Sequence, residues 1–577
     1  MNHNNYFKYY FILALGILNT ICIMLVFSAL SFLFNLPLSW LHFPLSICGS
    51  IFINYFASKY YFVKEYKLIF YKSTVIILIV VLFSILLGKS IYDISWDGQG
   101  YHQETIIQLK EGWNPFYSQL NFIDSYVSLL SNHYGKGAEI PQATIYAFTN
   151  KIQAGKATNI LLLLASYFLC GYILSGIKKL STFKIHLISS LFALNPITTN
   201  QIFTYYIDGQ VGSLLCGLLI ISYLLYNDFD KYKLLLFSSI VIILVNLKFT
   251  CVIFASIFIS GLLMALFYNN KKIILRKVFI TAFLSLIMGI CFVGYNPYIT
   301  NTINHGNPFY PLLGKEKLDI MTDKYPKGFN DKNRFEKFAI SILSRPDNTL
   351  KLKNRSPEIK FPFMFNKDDI YNSSGYDIRI GGFGILFEEI MLLAIGIFCS
   401  ILIFNWDEFG PCLTYIIVVL LFSVFIISEA WWARYVPQFW FVCLIIAIVA
   451  ELSKYNIIKK IGCVLLTITT VNAYFVMTLV FMHNLRDTVN IEYQLAQIKL
   501  VNKTVIVKYG EFKSIRKRFI EKGINYVEEN ISIGNNVVTV EGSCGGALVK
   551  FVDIPENVPK PFLMRCIYIL KGLHIFK

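Results

Sequence analysis

Thirteen stretches of this chain are apolar and long enough, or nearly long enough, to cross a lipid bilayer, and they recur from the first residues to about residue 482. A hydrocarbon core of about 30 Å takes about 20 helical residues to cross, and inside it a backbone must bond to itself, so the runs are read as helices. They lie at 9–34, 43–58, 73–90, 156–176, 186–203, 210–226, 233–247, 249–267, 277–295, 385–404, 411–428, 435–453 and 460–482. The 233–267 region must be a tight pair, because only a break around Lys248 divides it. The first run is too long for a cleaved leader, lacks a small-residue cleavage site and follows a single lysine, so it reads as retained. With 55% hydrophobic and 15% charged residues over 577 positions, lipid is the main solvent. The expected fold class is an all-α polytopic membrane protein of about 13 transmembrane helices with a small C-terminal α/β appendage.

Orientation follows from the lysines and arginines of short loops, which concentrate on the cytoplasmic side. One assignment, with the N-terminus inside, places every basic short loop there: Lys59 to Lys72, Lys178 to Lys184, Lys231 and Lys233, Lys271 to Lys277, and Lys454 to Lys460. The acidic Asn405 to Gly410 turn is the exception. The Asp97 loop, the turns near Asp208 and Arg434, the 296–384 segment and the tail from 484 are then outside. The net charge of +17 is thereby partly a topology signal and requires no nucleic-acid partner. The 12 cysteines form no CxxC pair, and most lie in apolar runs as small core residues. Cys544 and Cys566 share the tail, where an oxidising compartment permits but does not require their pairing.

Three pieces stand outside the 1–483 transmembrane domain's helices. The first, 91–155, holds two short apolar stretches, Glu104 to Gly112 and Ile140 to Phe148, which are too short to span and read as helices along the interface. The second, 296–384, is a long turn-rich loop. The third, 484–577, has β-like runs at Thr504 to Tyr509, Val537 to Val540 and Leu548 to Val552 and a helix-like Glu511 to Lys522.

Ionisable and amide residues collect at the external ends of the spans, among them Asp97, His102, Glu104, His133, Lys136, Asn195, Asp208, Lys248, Asn296, Arg379, Glu429 and Arg434. Charge at that depth is costly unless it faces a polar cavity, so the collection points to one cavity opening outward. In Ser95-Trp96-Asp97-Gly98-Gln99-Gly100-Tyr101-His102-Gln103-Glu104, an acid sits beside glycines that let backbone approach a ligand, with Tyr101 and His102 adding hydrogen-bonding groups. Near low dielectric such a carboxylate is a natural general base for a hydroxyl. Asp208 has two roles open to it, a helix N-cap or a second acid in the cavity. Lys248, between Leu247 and Phe249, must snorkel or be paired. Arg434 is either an anchor paired with Glu429 or the group that receives an anionic phosphate. Its replacement by alanine is expected to weaken that site more than the fold. Asn132-His133-Tyr134-Gly135-Lys136-Gly137 binds phosphate or sugar, or is only a turn. The sequence has no Walker loop, GxSxG elbow, HExxH or Rossmann fingerprint in its proper context, which disfavours an ATP-driven pump and several hydrolases.

Taken together, the acid in the first large external loop (Asp97 in WDGQGYHQ), two following short helices, many spans and a small external tail resemble the GT-C class of glycosyltransferases. The segments NHYGKG at 132–137, YYIDG at 205–209, NPY at 296–298, GNPFYP at 306–311, GGFG at 381–384 and WWARYVPQFW at 431–440 are similar to those of bacterial envelope members. The resemblance covers about residues 70–485 and implies a GT-C-like fold and a polyprenyl-phosphate-linked sugar donor. It further implies a glycan or lipid acceptor and a place in the bacterial inner membrane. Asp97 would then activate the acceptor hydroxyl, with inversion, while Arg434 and Lys248 or Arg379 stabilise the leaving lipid phosphate. Tyr101, His102, Glu104, His133, Lys136 and Asp208 would complete the substrate site. Two departures stand: two extra spans precede the loop's own leading helix, and no Asp-Glu pair follows Asp97. A divalent metal therefore stays open, with Asp97, Glu104 and Asp208 its only acidic candidates. The rivals are an O-antigen-type polymerase or ligase, usually pictured with paired arginines in external loops, and a transporter or flippase of lipid-linked glycans. The latter needs mid-span charges and a repeat, which the sequence scarcely offers.

Overall fold

The computed structural model describes residues 7–550 except 123, 320, 349–353, 501–502, 532–536 and 543–544. Each of the thirteen apolar runs falls on helix. Among the described residues, nine helices are long and apolar enough to cross a membrane, which makes the chain a multi-pass helical membrane protein. Four runs differ in physical character. His42–Tyr61 turns a small polar stripe inward, so that the Ser50 hydroxyl donates to the Gly16 carbonyl at 2.6 Å and the Asn54 amide to that of Ile12 at 3.3 Å. Such small residues let helices approach closely in lipid. The 186–203 run is broken into Thr182–Ala193 and Pro196–Gln201, because Asn195 caps the second helix and proline occupies its first position. Lys231–Leu247 and Phe439–Leu452 are shorter than a full crossing. The tight pair is present as expected: Lys248 is extended between Lys231–Leu247 and Phe249–Tyr268.

Helices that are apolar all round can be central or lipid-facing, and burial separates the two. The most apolar window of the first helix is 83% buried, whereas that of Lys272–Val293 is only 22% buried. The first helix is thus central, as is Ile152–Ser175, whose window is equally buried, and the ninth run lies on the rim.

The basic loops gather at one end of the bundle. There Tyr61 donates to Asp230 at 2.7 Å, Lys271 to the Tyr226 carbonyl at 2.6 Å, and Lys184 pairs with Glu451 at 2.5 Å. The loops holding Asp97, Asp208, Lys248 and Arg434 gather at the other end.

At that second end sits the sheet: β1 (Val505–Lys508), β2 (Tyr526–Glu528), β3 (Val537–Gly542) and β4 (Gly545–Lys550), in the order β2-β1-β4-β3. Strand β1 is parallel to β2 and antiparallel to β4, and helix Arg516–Lys522 lies between β1 and β2 in sequence. The three β-like runs are strands over their described part, and β2 is an addition. The last long helix does not stop at 483 but continues from Asn456 to Leu500, carrying the sheet. Cys544 and Cys566 lie outside the described residues.

The two short apolar stretches form helices, Gln103–Lys110 and Glu139–Thr149, but neither lies exposed along an interface. Both are largely buried: Gln103–Lys110 packs on Glu139–Thr149 and is held by Arg516 of the C-terminal unit, and Glu139–Thr149 packs on Lys8–Leu33 and His42–Tyr61.

Candidate functional site

Four chain segments far apart in sequence meet at Arg434. Helix Tyr66–Ser90 leads into an extended stretch whose Asp93 is fully buried and serves as its knot. One Asp93 oxygen accepts from the Ser95 amide at 2.8 Å, the other from the Tyr205 amide at 3.1 Å and Gln103 at 3.2 Å. A Cβ on Gly98 would collide with that carboxylate and with the Ser95 hydroxyl, so this glycine is required by packing. Around Gly100 there is open space. The π-helical turn Gly98–His102 then fixes Asp97 just ahead of it.

The second segment is the start of helix Asp208–Asn227. Asp208 is not its cap, since that position belongs to Ile207 and no side chain caps it. Its carboxylate pairs instead with Lys248 at 2.9 Å and accepts from Gln201 at 3.4 Å. The cap role is thus not observed, and Asp208 stands with Asp97 at the Arg434 guanidinium. Lys248, the third contributor, is accordingly paired, and its ammonium lies 3.9 Å from the centre of the Tyr435 ring. Close by, Gly137 lies so tightly on the end of Lys231–Leu247 that an added Cβ would sit 2.6 Å from the Asn246 carbonyl carbon. The glycines of NHYGKG are thereby explained by packing.

The fourth segment is the turn Ala433–Tyr435, paired through backbone with 378–379: Ala433 N–H donates to Arg379 at 3.1 Å and Arg434 N–H to Ile378 at 3.2 Å. This ladder sets Asp377 between two guanidinium groups, 2.6 Å from Arg379 and 3.1 Å from Arg434. Arg434 also reaches Asp97 at 3.3 Å and Asp208 at 3.6 Å through a single nitrogen, Nη1. The anchor role with Glu429 is not observed, because Glu429 accepts instead from Tyr325 at 2.7 Å and Trp431 at 2.6 Å. Three carboxylates thus face three cations, Arg379, Arg434 and Lys248. Their side-chain exposures differ in a decisive way: Asp208 4%, Asp377 15%, Asp97 27%. Asp97 is the acid a ligand can reach.

Aromatic rings wall the cluster. Arg434 lies 4.8 Å from the Tyr206 ring, 5.0 Å from Trp432 and 5.2 Å from Tyr435, and Arg379 lies 4.4 Å from Trp432. Burial opposes the charge on Arg434, but Asp377, Tyr435 and Asp208 more than offset it and hold the guanidinium firmly protonated. The Tyr126 hydroxyl is pushed up to about 12, by burial first and by Asp97 next. Those of Tyr101 and Tyr134 are raised further, again by burial first. All three stay protonated at neutral pH and are available as donors.

No known protein family, curated protein or solved structure matches this chain.

Several expected site residues lie elsewhere. His102 bonds Glu139 at 2.7 Å, with both side chains buried. Glu104 is held by Arg516 of the C-terminal unit, at 2.8 Å through Oε1. His133 bonds Asn301 at 2.8 Å and lines a different cavity. Lys136 is buried and donates to the Tyr134 carbonyl, and burial lowers its ammonium to about 8. The three acids named for a metal do not converge: Glu104 is engaged by Arg516, and the space between Asp97 and Asp208 holds the Arg434 guanidinium. Among the described residues, no three His, Cys, Asp or Glu side chains come together as a metal site. Asp377 escaped sequence reading because it sits in a long polar loop. Its signal was Asp377-x-Arg379, a spacing that puts opposite charges on one face of an extended strand.

Proposed function

We propose that this protein is a membrane glycosyltransferase that moves a sugar from a polyprenyl-phosphate-linked donor to a cell-envelope glycan or lipid. The observation that carries the proposal is the most exposed acid of the cluster, Asp97, lying against the guanidinium of Arg434 at one end of the bundle. In this reading that end faces outward, the basic loops face the cytoplasm of a bacterial inner membrane, and the helices form a GT-C-like bundle with up to thirteen crossings.

Donor phosphate enters where the cations are. Arg434 gives its Nη1 to a phosphate oxygen in place of Asp97, while Lys248 and the tyrosine hydroxyls supply further donors. The exchange releases the Asp97 carboxylate just when a base is needed. The acceptor hydroxyl attacks the anomeric carbon, the bond from that carbon to the phosphate oxygen breaks, and Asp97 takes the hydroxyl proton. The electron pair leaves on the lipid phosphate, stabilised by Arg434, and the anomeric configuration inverts. Asp208 and Asp377 stay paired throughout and hold the two cations in place.

Purified protein supplied with a polyprenyl-phosphate sugar and extracted envelope acceptor tests this. Asp97→Asn is expected to slow transfer by about 10²- to 10⁴-fold while donor still binds. Transfer at the wild-type rate would sink the role of Asp97. A lipid-linked glycan polymerase or ligase is the second reading, favoured by one observation, the meeting of Arg379 and Arg434 on Asp377. Mass spectrometry of the product separates the two: one added residue for transfer, a whole block for polymerisation or ligation.

A further inference from the structure

A cavity of about 600 Å³ opens beside the cluster, between the 115–119 turn, the corner at Asn132 and His133, and the 295–305 segment. Its size lies within the range of about 300–1,000 Å³ usual for small-molecule sites. Its chemistry is opposite to that of the Arg434 cluster: no aspartate, glutamate, lysine or arginine lines it. Its polar groups are amides, hydroxyls and two imidazoles; burial holds the His133 imidazole below its usual value, and His305 meets the exposed Glu316 at 2.8 Å.

The walls are aromatic and fixed. Phe116 and Tyr295 lie with ring centroids 4.8 Å apart, and the Tyr117 ring stands largely exposed at the mouth. His305 stacks on Tyr310 at 3.7 Å, and His133 meets both rings edge-on at 5.0 and 4.8 Å. Asn132 clamps the turn by exchanging two 2.8 Å bonds with the Leu120 backbone, and Asn301 ties His133 to the Tyr310 carbonyl, 2.9 Å away. One buried group has no partner among the described residues. Asn296 spends its amide N–H groups on the Asn132 carbonyl at 3.0 Å and Thr300 at 3.2 Å, while its Oδ1 accepts nothing.

We propose that this cavity binds an uncharged saccharide unit. A sugar ring presents hydroxyls that suit amide and hydroxyl partners, and a C–H face that suits exposed aromatic rings. A phosphate finds no lysine or arginine here, and an acyl chain would strand the amides. The corner also gives the cavity a relation to the cluster. Asn132 and His133 line the cavity, whereas the next residue, Tyr134, faces Asp97 and Arg434. A saccharide held here extends one hydroxyl toward Asp97, as the acceptor. That role rests on the transfer reaction proposed above; the capacity to hold a neutral sugar does not.

The test is saturation-transfer NMR on the full-length protein in nanodiscs. The probes are neutral hexoses, N-acetylhexosamines and their disaccharides, with a uronic acid and inorganic phosphate as charged controls. Asn304→Ala and Tyr117→Ala alter exposed positions of the wall and leave the core untouched. At least one neutral sugar is expected to bind saturably, each variant to weaken it about tenfold, and phosphate not to displace it. No saturable neutral sugar, or binding unchanged in the Asn304→Ala, Tyr117→Ala double variant, overturns the site. Intact binding with no transfer by the wild-type protein removes the acceptor role and leaves the saccharide site standing.

Discussion

Removing Arg434 should cost stability more than any change at Asp97, contrary to what the sequence alone leads one to expect. The guanidinium is buried and touches Asp377 at 3.1 Å, Asp97 at 3.3 Å and Asp208 at 3.6 Å. In Arg434→Ala three carboxylates face only Lys248 and Arg379. Asp97 then loses its cation, while Asp377 and Asp208, whose side chain is 4% exposed, each keep one of two. Breaking a buried pair from one side costs about 3–5 kcal/mol. Asp97→Asn leaves one surplus cation instead, but at a contact reached by water, and its cost should stay within about 1 kcal/mol. Thermal unfolding in detergent, followed by the fluorescence of neighbouring Trp432, reads both variants. The double variant Asp377→Asn, Arg434→Met should recover about 0.5–3 kcal/mol relative to the sum of the singles, because it removes both signs together. An Arg434→Ala protein that melts with the wild type, or a double variant that is strictly additive, would refute the buried network.

The two glycines of the Asp97 loop should behave differently: Gly98→Ala collides with Asp93 and Ser95 and should cost about 1–3 kcal/mol, whereas Gly100→Ala meets nothing within 4 Å and should fold normally. Both are read by unfolding in detergent. Arg516→Ala removes the paired contact to Glu104 and should speed amide exchange across β1 and β4 while lowering transfer, because the C-terminal unit also holds the loop through Ser514, which donates to the Gln99 carbonyl at 2.7 Å. Unchanged exchange would show that the docking is carried elsewhere. Burial lowers Lys136 from 10.5 to about 8, so between those values the unfolded chain binds the proton better and folding stability rises with pH. Lys136→Met should therefore be the more stable protein below pH 8, by up to about 3 kcal/mol, and its advantage should fade between pH 8 and 10.5. A constant difference over that range would mean that Lys136 is not buried as a charge.

Hydropathy is a local property, and so the apolar helices could be read from the chain itself, down to the break at Lys248, although only nine of the thirteen runs among the described residues are long and apolar enough to cross a membrane. The polar ends of those spans could be read for the same reason. Which of them meet could not, since Asp97 and Arg434 are 337 residues apart and are joined only by the packing of the helices between them. Adjacency in the sequence misled in the opposite sense. Asp97, His102 and Glu104 fall within eight residues, yet the turn at Gly98–His102 runs into helix Gln103–Lys110 and sends each side chain a different way. Asp97 goes to Arg434, His102 to Glu139 and Glu104 to Arg516. Helical rotation between neighbouring side chains makes that divergence the rule. What covers the two short helices could not be read either, because an amphipathic stretch shows that one face is apolar and not what packs on the other. For Gln103–Lys110 part of the cover is a sheet domain about 400 residues further on, whose Arg516 reaches back to Glu104 while its Arg518 reaches the Asp93 carbonyl. The loop bearing Asp97 is thereby held from both sides, by the bundle through Asp93 and by the C-terminal unit through Gln99. A displaceable contact to Arg434 is consequently the least constrained bond that Asp97 makes. Under the proposed transfer reaction, a base that must change partners would need that arrangement: a fixed backbone, and one weak, exchangeable ion pair.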